Sequence, residues 1–271
     1  MTGDAPDSRL IRSLDRTGRK AVAAVEEVGN AGILVVESLY WLILGPRIRQ
    51  PVRLDAVINQ MMEIGIFAIP IIAMMAATIG VMLAIQGIHT LRIFGAETKV
   101  TVGIALSVVR EFAPLITGIL VAGRSGSALA ARIGSMKTNQ EIDALHVMGI
   151  NPVRFLVAPA LIACLIMVPA LTFFSHVSGL LAAGLYVNLE LKISLAAYFD
   201  QVVDALSAGD LLHGLSKSLI FAVLIAVIGV VNGASVTGGA EGVGKATTRA
   251  VVQSISAIIV TDMLFVFAVT R

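Results

Sequence analysis

The sequence predicts an all-α membrane protein: an N-terminal interfacial helix, five transmembrane helices, and a cytoplasmic coupling helix between the second and third spans. Three observations carry that expectation. Hydrophobic residues make up 57% of the chain and charged residues only 14%, whereas soluble domains carry roughly 25% charged residues. Five apolar runs are long enough for spanning helices, which need about 20 residues each. Between two of those runs lies AGRSGSALAARIGSMKTNQEIDALHVMGINP, Ala122 to Pro152, which is polar, charged and punctuated by glycine. A membrane protein that must be pushed by a soluble motor needs such an element at its surface.

Residues 1 to 20 are polar and arginine-rich, without the apolar core and cleavage site of a secretory signal. The segment Ala31 to Gly45, AGILVVESLYWLILG, is interrupted by Glu37 and too short to span comfortably. With Trp41 and Tyr40 near its end and Arg47 and Arg49 following, it reads as a helix lying in the interface plane. Residues 1–60 thus form a cytoplasmic N-terminus with an interfacial helix, and 61–271 form the five-span domain with its coupling segment at 124–152.

The spans are expected at Ile64 to Ile88, Val100 to Gly123, Phe155 to about Val187, Leu212 to Val231 and Ala250 to Thr270. An odd number puts the termini on opposite sides. Arg9, Arg12, Arg16, Arg19, Lys20, Arg47, Arg49, Arg53, Arg124, Arg132, Lys137, Arg154, Lys245 and Arg249 fall on the N-terminal side. Only Arg92, Lys99, Lys192 and Arg271 fall opposite, so the positive-inside rule makes the N-terminus and the 122–152 segment cytoplasmic. That segment reads as a Gly/Ser-rich hinge, a short helix from Asn139 to Met148 and a Gly-Ile-Asn-Pro stop. The exposed face of its helix should include Glu141, Leu145 and Met148. On the other side, Leu189 to Leu211 reads as an amphipathic surface helix. Leu195, Phe199, Val202, Val203 and Leu206 form its apolar face, and Asp200, Asp204 and Asp210 its acids.

Small-residue pairs four apart, Ala76/Gly80, Gly179/Ala183 and Gly229/Gly233, mark places where helix backbones can approach. Charges inside spans are costly unless paired or wetted. Arg110 and Glu111, adjacent in VVREFAPL, point about 100° apart on a helix, so each needs a partner elsewhere. Asp262 and Lys217 are the candidates. Either a structural network or a polar pocket for an amphipathic ligand would account for the group.

Other chemistries find little support. Cys164 lies in an apolar run and has no second cysteine to pair with. His89, His146, His176 and His213 are scattered, and no cofactor or metal site is expected. Gly239 to Ala246, GAEGVGKA, nearly spells a phosphate-binding loop, but Ala246 stands where that loop needs Ser or Thr. It follows a membrane helix instead of a strand, so it reads as a flexible cytoplasmic loop. The basic residues form no stripe with aromatics, which argues against nucleic acid.

The run REFAPLITGILVAGRSGSALAARIGSMKTNQEIDALHVMGINP, with LAIQG, GAET, VNG and GVGKATTRAVV, resembles the MlaE/YrbE permeases, membrane subunits of MCE-associated ABC lipid transporters. The similarity runs from about residue 10 to the C-terminus. It implies a homodimer in the bacterial inner membrane, bound to a cytoplasmic ABC ATPase, with no catalytic site of its own. It further implies a hexameric MCE-domain protein on the periplasmic side and often a small STAS-domain protein beneath. The cargo would be phospholipid or a related lipid, in a pocket lined by Leu83, Gln86, Leu91, Phe94, Arg110 and Glu111. ATPase coupling would fall to Glu141, Asp143, Leu145, His146 and Met148. The alternatives are an ion-coupled secondary transporter using Arg110, Glu111 and Asp262, for which an inverted repeat is missing, and a membrane enzyme acting on lipids, for which catalytic residues are missing.

Overall fold

The computed structural model describes residues 32–42 and 52–269, with Gly18, Val22 and Gly29 as isolated helical positions. Arg9, Arg12, Arg16, Arg19, Lys20, Arg47, Arg49, Thr270 and Arg271 lie outside the described residues. Among those described there are helices and no strands. Five are long and apolar enough to cross a membrane: α2 (Leu54–Arg92), α3 (Glu97–Thr138), α5 (Val153–Leu191), α7 (Ala208–Ala234) and α8 (Gly239–Val269). Three shorter ones complete the set, α1 (Gly32–Leu42), α4 (Glu141–Val147) and α6 (Leu195–Ala205). The expected number and order of spans hold, while each helix runs past its apolar stretch at one end or both.

The core is assembled on α5 and α7. Ile72, Val121, Leu161, Cys164, Val168, Phe221, Ile225 and Ile258 form one buried cluster that draws on all five spans. Glycine contacts set the crossings. A Cβ on Gly80 would lie 2.1 Å from Gly179 O, so two of the small-residue pairs read from the sequence meet each other, α2 against α5. The third, in α7, packs on α3, where Cβ atoms on Gly229 and Gly233 would come to 3.1 Å from Gly126 O and 2.8 Å from Ala130 O.

That second crossing corrects the reading of 122–138. The Gly/Ser-rich stretch is no hinge. It continues α3 as a helix from Ala122 through Thr138, because its small residues are used to admit α7. Gly239 to Ala246 is likewise no flexible loop but the first turns of α8. Only Gly238 and Gly239, at φ +87° and +69°, take the left-handed conformation needed for the α7–α8 turn.

Glu37, the charge that interrupts the N-terminal apolar segment, has a specific partner. It accepts a hydrogen bond from Asn151 Nδ2 at 2.8 Å, while Asn151 Oδ1 accepts from Val153 N at 2.8 Å and so caps α5. Arg154 lies 5.4 Å above the Trp41 ring. Helix α1 is therefore tied to the segment that follows α4.

At the opposite end α6 is anchored differently from expectation. Tyr198, which the spacing did not single out, is fully buried, and a Cβ on Gly184 would stand 2.7 Å from its ring. Burial holds its phenol above the usual tyrosine range. Val202 is buried and Phe199 and Leu206 partly so, but Val203 points outward and Leu195 is exposed. Phe199, Val202 and Leu206 of the expected apolar face thus do face inward, joined by Tyr198, while Leu195 and Val203 turn away.

Candidate functional site

Helix α3 widens at Val108–Phe112 into a π-turn, where Ala113 N–H bonds back five residues to Val108 O. Pro114 follows and has no N–H, so the regular ladder is already broken there. Helix α7 presses on this turn at Gly214, where a Cβ would lie 2.3 Å from Val109 O. The contact sets α7 in rotation. It places Asp210, His213 and Lys217, spaced i, i+3 and i+7 on one helical stripe, beside Arg110 and Glu111.

The pairings follow. Arg110 Nε lies 3.5 Å from Asp210 Oδ1, and Lys217 Nζ donates to Glu111 Oε2 at 2.6 Å. The same ammonium lies 3.0 Å from Asp262 Oδ1 of α8, an ion pair outside good hydrogen-bond alignment. His213 Nε2 is 3.7 Å from Glu111 Oε1, beyond hydrogen-bond reach, and its ring meets Phe265 edge-on at 5.0 Å between centroids. Lys217 is thus the partner of both Glu111 and Asp262. Arg110 instead takes Asp210, which also forms the capping box of α7 with Ser207. Asp210 and His213 were missed as site residues, although their spacing from Lys217 is a legible signal.

Accessibility divides the cluster. The Lys217 side chain is 0% exposed, whereas those of Arg110 and Glu111 are 42% and 39% exposed. A fully desolvated cation has its charge met by two carboxylates, and a second cation and one carboxylate remain open to an incoming group. The cluster sits in the first turns of α7 and near the last turns of α8, at the α6 end of the bundle and away from α4.

The expected apolar wall is only partly assembled beside it. Leu83 and Leu91 pack on the cluster that contains Val108 and Val109, next to Arg110. Gln86 is exposed, and Phe94 is 75% exposed in the turn after α2. Neither is brought to the charges within this chain.

At the other end α4 is shorter than expected, Glu141–Val147, and begins after Gln140 in the left-handed conformation at φ 60°. Leu145 is a correction. It is 7% exposed, because α4 rolls its one fully apolar face toward the rest of the chain. Glu141, Asp143, His146 and Met148 are exposed, and Val147, not singled out from the sequence, is 89% exposed. Lys137 Nζ lies 3.9 Å from Asp143 Oδ1, across the break between α3 and α4.

Residues 57–268 match the family model described as Permease MlaE, which takes in all five spans, the charge cluster and α4. The chain belongs to the MlaE permease family. Among its relatives is a probable ABC transporter permease protein of Rickettsia typhi, 31% identical over 261 residues, covering 94% of this chain and 99% of that protein. One from Synechocystis is 35% identical over 249 residues, covering 92% and 93%. The intermembrane phospholipid transport system permease protein MlaE of Haemophilus influenzae is 31% identical over 258 residues, covering 94% and 96%. As an MlaE-family permease, the chain is a multi-pass membrane protein with five apolar helices long enough to cross the bilayer.

Proposed function

We propose that this MlaE-family permease is the membrane subunit of an ABC transporter that moves phospholipid or a related lipid, with ATP hydrolysed by a separate cytoplasmic subunit. An MCE-domain protein would receive or deliver the lipid on the periplasmic side, and a STAS-domain protein is a further candidate partner. The carrying observation is the charge cluster. Half-buried Arg110 and Glu111 stand at one end of an apolar bundle, with Leu83 and Leu91 packed alongside. A lipid has a charged head and apolar tails, and these groups match both ends. The relatives named as ABC transporter permeases and as an intermembrane phospholipid transport permease support the same reading.

Two copies of the chain would complete the pocket. Spans α2 and α8 leave most of their apolar surface uncovered among the described residues, including Met74, Met82, Ile85, Ile259, Met263 and Leu264. In a homodimer such faces would meet, and exposed Gln86 and Phe94 would then close the wall over Arg110 and Glu111. A purified transporter reconstituted with its ATPase tests the assignment. Glu111→Gln keeps the side chain's size and a hydrogen-bond acceptor for Lys217, so it should lower lipid transfer at least tenfold while shifting the melting midpoint little. A collapsed melting temperature with normal transfer per folded molecule would make the cluster scaffold only.

The orientation rests on the distribution of Lys and Arg, with the N-terminus and α4 cytoplasmic and the C-terminus periplasmic. Single cysteines at Thr98 and Ser194, both exposed, should react with an impermeant thiol reagent added to intact cells from outside. Cysteines at Ser135 and Thr237 should react only after permeabilisation. Labelling of Ser135→Cys from outside would reverse the arrangement.

A further inference from the structure

A crevice of about 490 Å³ lies between α1, α7 and α8, at the α4 end of the bundle and separate from the charge cluster. Its long wall is the apolar face of α7 from Val223 to Val231, with Gly32 and Val35 of α1 on one side and Ala257 of α8 on the other. The polar groups are two carboxamides at one end, Asn232 and Gln253. Asn232 is 3% exposed and uses both amide hydrogens, donating to Ile228 O at 2.9 Å and to Gln253 Oε1 at 2.6 Å. Asn232 Oδ1 and the Gln253 Nε2 amide are left without a hydrogen-bond partner among the described residues. That is one neutral acceptor and one neutral donor at the lip of an apolar slot.

We propose that this crevice holds one acyl chain of a resident membrane lipid, with the lipid's glycerol-ester region at the Asn232–Gln253 pair. Length supports this. From Val223 to Asn232 the helix rises nine steps, roughly 14 Å at 1.5 Å per residue, close to half of a hydrocarbon core about 30 Å thick. The slot is therefore one leaflet deep, and its polar end lies where that leaflet's ester groups lie. Width favours a hydrocarbon chain over a helix. Dividing 490 Å³ by that length gives a mean cross-section of about 35 Å², whereas a helix 10–12 Å in diameter occupies roughly 80–110 Å². A hydrocarbon chain matches that width more closely than a second copy's span does. The polar end carries no charge, so the site reads the ester and the chain and is indifferent to headgroup charge. In this it differs from the Arg110–Glu111 cluster. Its lipid acts as a wedge between α1 and the bundle, on the side where α1 is tied to the residues after α4.

The test uses the full chain in nanodiscs of phosphatidylethanolamine and phosphatidylglycerol containing a small fraction of either lipid with a diazirine at mid-chain. After photolysis, peptide mass spectrometry locates the adducts. Adducts on residues 223–232 and 253–257 should exceed those on the lipid-facing residues of α2 at least fivefold, equally for both headgroups. Leu224→Trp, which fills the slot, should reduce them at least fivefold, and Val35→Trp gives the same test from the α1 side if the first variant folds poorly. Gln253→Leu should weaken retention of the lipid through detergent washing. Equal labelling of α2 and the crevice, insensitivity to both tryptophans, a strong headgroup preference, or efficient disulfide formation between two copies at Val227→Cys would each overturn the assignment. Transport is not read, so the result is independent of the proposed substrate.

Discussion

Replacing Lys217 with methionine will cost about 3–5 kcal/mol of stability, the range measured when one partner of a buried ion pair is removed. Lys217 Nζ lies 2.6 Å from a Glu111 oxygen and 3.0 Å from an Asp262 oxygen with its own side chain fully buried. Methionine preserves the volume of the stem but leaves two carboxylates facing one another with no cation between them. Against a total stability of about 5–15 kcal/mol for a typical domain, that is a large fraction. The expected readouts are a much lower yield from the membrane and a melting midpoint well below that of the parent protein. The double variant Lys217→Met/Asp262→Asn should recover part of the loss, since one of the stranded charges is gone. Melting curves of the two proteins indistinguishable from the parent would show that the cluster is hydrated and contributes little to folding.

The second large effect is expected at α4. Val147 is 89% exposed and Met148 62% exposed at the end of a polar helix, apolar side chains that nothing among the described residues covers. If α4 docks in a groove of the ATPase, they are the anchors, and a lost interface anchor typically costs about 2 kcal/mol or more, close to thirtyfold in affinity. Val147→Glu should therefore weaken ATPase binding about thirtyfold and suppress ATP-driven lipid transfer, with insertion and melting unchanged. Leu145→Asp should behave differently. Leu145 is buried against the rest of the chain, so a carboxylate there should unseat α4 and lower stability as well as binding. Equal ATPase affinity for the parent and Val147→Glu would remove α4 from the contact.

The two predictions differ in how much of each was legible in the sequence. Lys217 and Asp262 could be named as members of the same charge group as Arg110 and Glu111 because a charge inside a long apolar run has few places to go. Asp210 as the partner of Arg110 could not, because it depends on how far α7 is rotated about its axis. That rotation is set by Gly214 pressing on the π-turn at Val108–Phe112, a contact between residues far apart in sequence. The same limit explains Leu145. Periodicity says which residues of a short helix share a face, but it does not say whether that face meets the chain or solvent.

Glycine was the other source of misreading. In Ala122 to Gly126 and Gly239 to Gly244 its frequency suggested flexible backbone, yet both stretches are helical, and Gly126 and Gly134 serve close packing against α7 and its neighbours. A missing Cβ either frees a chain or admits another helix, and local sequence does not distinguish the two. By itself the sequence determined that the chain is helical, that five segments can cross a membrane and in what order, and that a polar helix interrupts them. Those features follow from the cost of burying polar backbone and charge in hydrocarbon, which is summed residue by residue along a segment. The tertiary structure alone decided which helix faces meet, which charges pair, that Tyr198 anchors α6, and that α1 stands off α7 and α8 to leave a slot. Those depend on rotation and separation between helices, which many small contacts fix together and no single segment encodes.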